Sequence, residues 1–129
     1  MFKKVHHIAF AVYDLKKTIK VLKELFGVVP FRKISLKNRK MKVALFKIGD
    51  SWVEYLAPIS DDSPLNIYLE KKGEGFHHIA YKVNSIEEAN DQLPKGVLLP
   101  MRKSNVGEWT VADIQKEYTF GMKTQLIEE

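Results

Sequence analysis

The stretch VHHIAFAV, Val5 to Val12, occurs a second time in the chain as FHHIAYKV, Phe76 to Val83. The two copies are 71 residues apart and share five residues in eight. The same offset carries Glu54, in WVEYL, onto Gln125, in KTQLI. Because self-similarity at a fixed spacing indicates a repeated structural unit, the sequence predicts two modules with the same order of elements.

The first module has the pattern of a strand, a helix and three further strands. Apolar residues alternate from His6 to Val12, which predicts a strand with His7 on the face opposite Ile8. The helix that follows is expected to be capped by Asp14 and to end at Gly27 in a left-handed conformation. Three more strands are predicted at Val28 to Leu36, Met41 to Ile48 and Ser51 to Ala57, with a turn at Gly49-Asp50 between the last two.

The second module repeats this order less cleanly. The strand at Phe76 to Val83 is followed by a shorter helix that Ser85 caps and that closes near Pro94. Strands are then predicted at Val97 to Leu99, Trp109 to Ile114 and Lys123 to Ile127. Asp62, Ser63 and Pro64 signal a helix start in the linker. We therefore expect one α+β domain over residues 1–129, with a first module at about 1–57, a linker helix at about 58–75 and a second module at about 76–129.

Composition narrows the class of protein. A chain of 129 residues with 45% hydrophobic residues, 29% charged residues and no cysteine is typical of one globular domain. Its longest apolar run, Ile8 to Tyr13, is far shorter than the roughly 20 residues of a membrane-spanning helix. The start of the chain also lacks the length of apolar sequence that a secretory signal needs. These features predict a cytoplasmic protein with no membrane partner.

The formal charge of +5 favours anionic partners, because it steers them over long range. The densest basic stretch, Arg32 to Lys47, contains seven basic residues and no acidic one. It has two readings: a solvated pair of strands, or a surface that receives the phosphates of a large anionic substrate. No helix-turn-helix, zinc-finger or RNA-binding signature accompanies the charge, so a nucleic-acid partner is not expected.

Four polar residues fall on equivalent strand faces of the two modules. His7 and Glu54 in the first module correspond to His78 and Gln125 in the second. If the modules pair their sheets, two imidazoles, a carboxylate and an amide oxygen converge, and such a set suits Zn, Ni, Co, Fe or Mn. A bound cation would also offset the cost of burying the carboxylate. His6 and His77 are expected on the helix-facing side, in structural roles.

Three stretches carry a family resemblance. They are HHIAFAVYDLKKTI near the start, IGDSWVEYLAPISDDSP in the middle and DSPLNIYLEKKGEGFHHIAYKV at Asp62 to Val83. The chain resembles the vicinal oxygen chelate superfamily, which contains the glyoxalase, bleomycin-resistance and dioxygenase proteins, and within it the methylmalonyl-CoA epimerase branch. The resemblance implies a glyoxalase-like fold, in which two βαβββ modules form a curved, cup-shaped mixed sheet. It also implies a metal held by His7, Glu54, His78 and Gln125, and a homodimer.

Two positions depart from the pattern of that branch. Its members are thought to use two carboxylates as acid and base on opposite faces of the substrate's α-carbon. One of these is a glutamate on the last strand, where this chain has Gln125, and the other lies just before the third strand, where it has Lys40. A carboxamide does not titrate in the accessible range. Lys40 could act as the base if its pKa were depressed, and Asp113 is the other conceivable base.

Three functions remain open at this point. The first is an epimerase-like metalloenzyme that acts on an acyl-CoA or similar thioester through a metal-stabilised enolate. The second is a glyoxalase I-type isomerase of a glutathione thiohemiacetal, and the third is a small-molecule-binding protein without turnover on the same fold. The sequence leaves open which metal binds, which substrate is used, and whether the modules pair within one chain or across a dimer.

Overall fold

The computed structural model describes all residues from Met1 to Glu129 and contains eight strands and three α-helices. In chain order they are β1 (Lys4–Ala11), α1 (Leu15–Phe26), β2 (Arg32–Leu36), β3 (Met41–Ile48), β4 (Ser51–Pro58), α2 (Pro64–Lys72), β5 (Gly75–Lys82), α3 (Ile86–Gln92), β6 (Arg102–Lys103), β7 (Thr110–Ile114) and β8 (Thr124–Glu128). Contacts divide the chain into two units, Ala9–His77 and Met1–Ile8 with His78–Glu129, so that β1 contributes to both. No helix combines the length and the apolar character that crossing a membrane requires.

In the unit Ala9–His77 the strands follow the order β2-β3-β4-β1, and the β2–β3 and β3–β4 pairs are antiparallel. Helix α1 begins where the Asp14 side chain accepts a hydrogen bond from Lys17 N, and it ends at Gly27, whose φ is 68°. Both ends were predicted correctly. The helix packs Leu15 into a core with Val12, the residue after β1, and Phe46 of β3.

The β3–β4 hairpin positions Glu54. Its turn is the predicted one, because Gly49 has a φ of 58° that the tight connection requires. The antiparallel register places Glu54 directly opposite Leu45. The Glu54 side chain is buried, with 3% of its surface exposed. Helix α2 starts as predicted, with Ser63 accepting a hydrogen bond from Leu65 N and proline in the first turn.

In the unit that joins Met1–Ile8 to His78–Glu129, the strand order is β1-β5-β8-β7-β6. β5 and β8 are parallel, whereas β8–β7 and β7–β6 are antiparallel. Helix α3 is capped by Ser85, as predicted, and packs Ile86 against Ala112 of β7 and Leu126 of β8. The residues that alternate with these, Val111 and Ile127, form a separate cluster on the other face, together with Trp109.

Two predicted strands differ from the structure. Val97–Leu99 is not a strand, since only Leu98 forms an isolated bridge, with Ile114. Leu99 N still donates to Asp113 O, but Pro100 follows without an N–H and the ladder stops, so the sixth strand forms later as β6. β2 begins at Arg32 instead of Val28 for a similar reason, because Pro30 interrupts the pattern of backbone donors.

Candidate metal centre

Two histidines from the repeated motif meet in the unit that contains β5. His7 and His78 are both buried, and their Nε2 atoms lie 3.0 Å apart. Each is the second histidine of an HHIA stretch, and the strand alternation turns both away from the helix-packed face. The repeated motif therefore brings two imidazole nitrogens close together.

Gln125 of β8 joins these imidazoles. It is buried, it pairs in register with Ala80 of β5, and its side chain forms a hydrogen bond with His7. That bond acts to raise the pKa of His7, so it favours the protonated ring and the Gln125 oxygen is the acceptor. Three of the four predicted ligands thus lie together in this unit: His7, His78 and Gln125.

The His7 ring is held in its neutral form. Its pKa is lowered from 6.5 to about 3, first because burial removes the water that would stabilise the charge, and second because His6 lies beside it. The hydrogen bond that the Gln125 oxygen accepts from His7 opposes both effects without cancelling them. A neutral imidazole is the form that binds a metal ion.

Asp113 was predicted as a candidate base, and the structure places it next to Gln125. Gln125 Nε2 donates to Asp113 Oδ1 over 3.0 Å, and Arg102 Nη2 lies 3.3 Å from Asp113 Oδ2. β7 runs between β8 and β6, so Asp113 is not on an edge strand. Arg102 could not be predicted from the sequence, because β6 has only two residues and gives no periodic signal.

His6 does not occupy the helix-facing position that was predicted for it, and that prediction is wrong. Its ring is 1% exposed and packs at 4.6 Å against Trp109, which belongs to the cluster on the face opposite α3. Its Nδ1 lies 2.8 Å from Nδ1 of His7. His77, in contrast, lies against Tyr68 of α2, with ring centroids 4.7 Å apart. The two equivalent histidines therefore have different surroundings.

Lys40, the other candidate base, follows β2 in a left-handed turn with φ 54°. Its side chain is half-exposed and forms an ion pair with Asp62. Lys40 and Ser60 both donate hydrogen bonds to the Asp62 carboxylate, and these bonds hold the pKa of Asp62 below its usual value. The structure thus gives Lys40 a surface partner in its own unit, and its catalytic role stays a prediction.

Comparison with known proteins identifies the family. The sequence profile described as Glyoxalase/Bleomycin resistance protein/Dioxygenase superfamily matches residues 6–112. The chain belongs to this superfamily. Among curated relatives, an uncharacterized Bacillus subtilis protein is 33% identical over 66% of this chain and 61% of its own length. Mitochondrial methylmalonyl-CoA epimerase of Homo sapiens is 32% identical over 71% of this chain and 53% of its own length. The chain therefore spans between half and two thirds of the length of these relatives.

Solved structures in the superfamily share the fold. A variant of Streptomyces coelicolor methylmalonyl-CoA epimerase in complex with 2-nitronate-propionyl-CoA superposes with a TM-score of 0.85 and 27% identity, covering 100% of this chain and 96% of that one. Each module here has the order strand, helix and three strands, β1-α1-β2-β3-β4 and β5-α3-β6-β7-β8. The predicted glyoxalase-like α+β fold and the predicted superfamily are both confirmed.

Proposed function

We propose that this protein is a metal-dependent epimerase of an acyl-CoA or similar thioester. The observation that carries the proposal is the 3.0 Å approach of His7 Nε2 and His78 Nε2, with the Gln125 side chain hydrogen-bonded to His7. Two buried imidazoles whose ring nitrogens lie this close together supply two of the donors that a divalent ion needs. The relatives and structural neighbours named as methylmalonyl-CoA epimerases support the choice of reaction.

The spacing of the two nitrogens suits a divalent ion. Nitrogen ligands lie about 2.0–2.1 Å from zinc, so two of them at angles between octahedral and tetrahedral are separated by about 2.8–3.4 Å. The observed 3.0 Å falls within that range. Imidazole and amide donors together favour borderline ions, which keeps Zn, Ni, Co, Fe and Mn as candidates.

Glu54 is the proposed third protein ligand besides the imidazoles, and its carboxylate is buried in the unit Ala9–His77. A buried carboxylate is stabilised by a cation. Gln125 supplies a neutral oxygen as the fourth donor. The proposed ligand set carries one negative charge in total. It would carry two if a glutamate stood at position 125. The neutral amide therefore leaves more of the positive charge of the metal ion to act on the substrate.

The metal, when bound, supplies Lewis-acid stabilisation of the enolate oxygen that forms when the α-proton leaves a thioester. The protein's own contribution is to bury both imidazoles away from water and to hold the His7 ring in its neutral form. Proton removal and return need a titratable group. Lys40 and Asp113 remain the predicted bases, and each is tested by its effect on α-proton exchange.

The basic stretch of β2 and β3 is the proposed binding surface for the phosphates of coenzyme A. The side chains of Lys33, Lys37 and Lys42 on this stretch are exposed. Lys47 is engaged differently, since its Nζ lies 4.4 Å from the centre of the Trp52 ring. An exposed, single-signed patch attracts a polyanion by long-range steering, and this supports a CoA ester over a small uncharged substrate.

The deciding experiment follows exchange of the α-proton of methylmalonyl-CoA in heavy water, with protein loaded with Co²⁺ or Zn²⁺. We expect exchange with the wild-type protein and with His77→Ala, the matched control for a histidine outside the centre. We expect none with His78→Ala. Absence of exchange with the loaded wild-type protein would exclude this substrate, and turnover of methylglyoxal with glutathione would instead establish the glyoxalase I-type reaction.

A binding protein without turnover is the second candidate. One observation favours it: the Gln125 carboxamide does not act as an acid or a base, and both oxygens of Asp113 already have partners, Gln125 and Arg102. Calorimetric titration with methylmalonyl-CoA separates the two functions. Binding of the thioester to the metal-loaded protein without any proton exchange identifies a binding protein, whereas binding with exchange identifies the enzyme.

A further inference from the structure

A polar pair crosses the apolar strands β7 and β8. Asp113 and Gln125 are direct partners in the antiparallel register. The neighbouring pair, Ala112 and Leu126, packs against α3, so by alternation Asp113 and Gln125 both lie on the opposite face of the sheet. This is the face on which Gln125 contacts His7.

Each oxygen of the Asp113 carboxylate has its own partner. Oδ1 accepts from Gln125 Nε2 at 3.0 Å, and Oδ2 lies 3.3 Å from Arg102 Nη2. An ionised carboxylate only accepts hydrogen bonds, and of the two ends of a carboxamide only the NH₂ group donates. Gln125 must therefore turn its NH₂ group toward Asp113, which leaves its carbonyl oxygen for His7.

We propose that Asp113 is a positioning residue for the metal centre: it fixes the Gln125 carboxamide with the carbonyl oxygen toward the imidazole pair, and Arg102 holds Asp113 in place. This inference rests on the proposed metal-dependent function. Without Asp113 the two orientations of the amide become similar in energy. In one of them the NH₂ group faces the cation, and Gln125 is then no ligand.

Asp113 also acts electrostatically on the oxygen that Gln125 offers. A negative charge on the NH₂ side of an amide polarises it and strengthens the carbonyl oxygen as a donor to a cation. The family resemblance places a glutamate on the last strand, and this chain has instead an amide there with a carboxylate on the adjacent strand. Asp113 thus places a negative charge next to the Gln125 amide, while Gln125, the proposed ligand, stays neutral.

The first test measures Co²⁺ affinity by calorimetric titration and follows the visible absorption spectrum of the bound ion. Partners of metal ligands typically contribute 10- to 100-fold in affinity, so Asp113→Leu is expected to weaken Co²⁺ binding by that factor. The spectrum should also shift as an oxygen donor is lost. Asp91→Leu removes an exposed carboxylate from α3 in the same unit and is the matched control. A Co²⁺ affinity of Asp113→Leu within threefold of wild type, with the spectrum unchanged, overturns the proposal.

The second test transposes the pair and stays informative if Asp113→Leu fails to fold. Gln125→Glu places two carboxylates face to face, whereas Asp113→Asn combined with Gln125→Glu restores a donor and an acceptor in the reverse sense. Asp113→Asn should weaken Co²⁺ binding severalfold in the wild-type background and strengthen it in the Gln125→Glu background. The effect of Asp113→Asn on Co²⁺ affinity should therefore differ between the two backgrounds by tenfold or more. Equal factors in the two backgrounds overturn the proposal.

The wild-type titration separates this inference from the proposed function. If wild-type protein binds Co²⁺ and the variants behave additively, only the role of Asp113 is overturned and the metal centre stands. If wild-type protein binds neither Co²⁺ nor Zn²⁺, the metal centre and the role of Asp113 are both overturned.

Discussion

The β3–β4 pair of the first module and the β7–β8 pair of the second place different residues opposite the same repeat position. Glu54 of β4 lies opposite Leu45, whereas Gln125 of β8 lies opposite Asp113. In the first pair the acid is on the last strand of the module and its cross-strand neighbour is apolar. In the second pair the last strand carries an amide and the acid is on the neighbouring strand. Equivalent positions of the two modules therefore carry a carboxylate in one case and a carboxamide beside a carboxylate in the other.

The largest expected effect comes from making the two modules alike. Glu54→Gln gives both last strands an amide and removes the one negative charge of the proposed ligand set. Because a charged ligand is replaced by a neutral one, we expect Co²⁺ affinity to fall by more than the 10- to 100-fold typical of an outer partner. Calorimetric titration measures the effect, with the exposed Glu70→Gln on α2 as the matched control. Equal affinities of the two variants would remove Glu54 from the ligand set.

A smaller effect on stability concerns His7, which is buried in the unit that joins Met1–Ile8 to His78–Glu129. The pKa of this residue is about 3 in the folded protein and 6.5 ordinarily, so between these values the unfolded chain binds the additional proton. Stability therefore falls as the pH falls through this window. Between pH 7 and pH 5 the loss from this group is about 2 kcal/mol in the metal-free protein.

Urea unfolding at the two pH values measures this loss. His7→Gln keeps a polar side chain of similar size that does not titrate. Between pH 7 and pH 5 its unfolding free energy should therefore fall by about 2 kcal/mol less than that of the wild-type protein. If the wild-type protein and His7→Gln lose the same stability on acidification, the acid sensitivity arises elsewhere in the chain.

The smallest effect concerns a feature that the two modules share. Asp14 caps α1 and Ser85 caps α3, each by accepting a hydrogen bond from a backbone N–H of the first turn. Asp14→Ala and Ser85→Ala should each lower the unfolding free energy by about 1 kcal/mol. Thermal or urea unfolding checks this, with Asp61→Ala, in the turn before α2, as the control. A cap variant as stable as this control would show that its helix end depends on packing alone.

The histidines of the HHIA stretches show where sequence reasoning succeeded and where it failed. The second histidine of each stretch, His7 and His78, was placed correctly, because alternation fixes its face and the repeat gives the face twice. The first histidines have the same local sequence, yet His6 packs on Trp109 and His77 on Tyr68. Local pattern could not distinguish them, since their partners are 103 and 9 residues away in the chain.

The sequence by itself determined the elements that depend on near neighbours. These are the order of most strands and helices, the caps at Asp14, Ser63 and Ser85, and the turns at Gly27 and Gly49. Only the tertiary structure decided the location of β6 and the chain of contacts from Arg102 through Asp113 to Gln125. The physical reason is register: a slip of one residue between β7 and β8 would turn Asp113 away from Gln125, and that register is fixed by packing across the sheet.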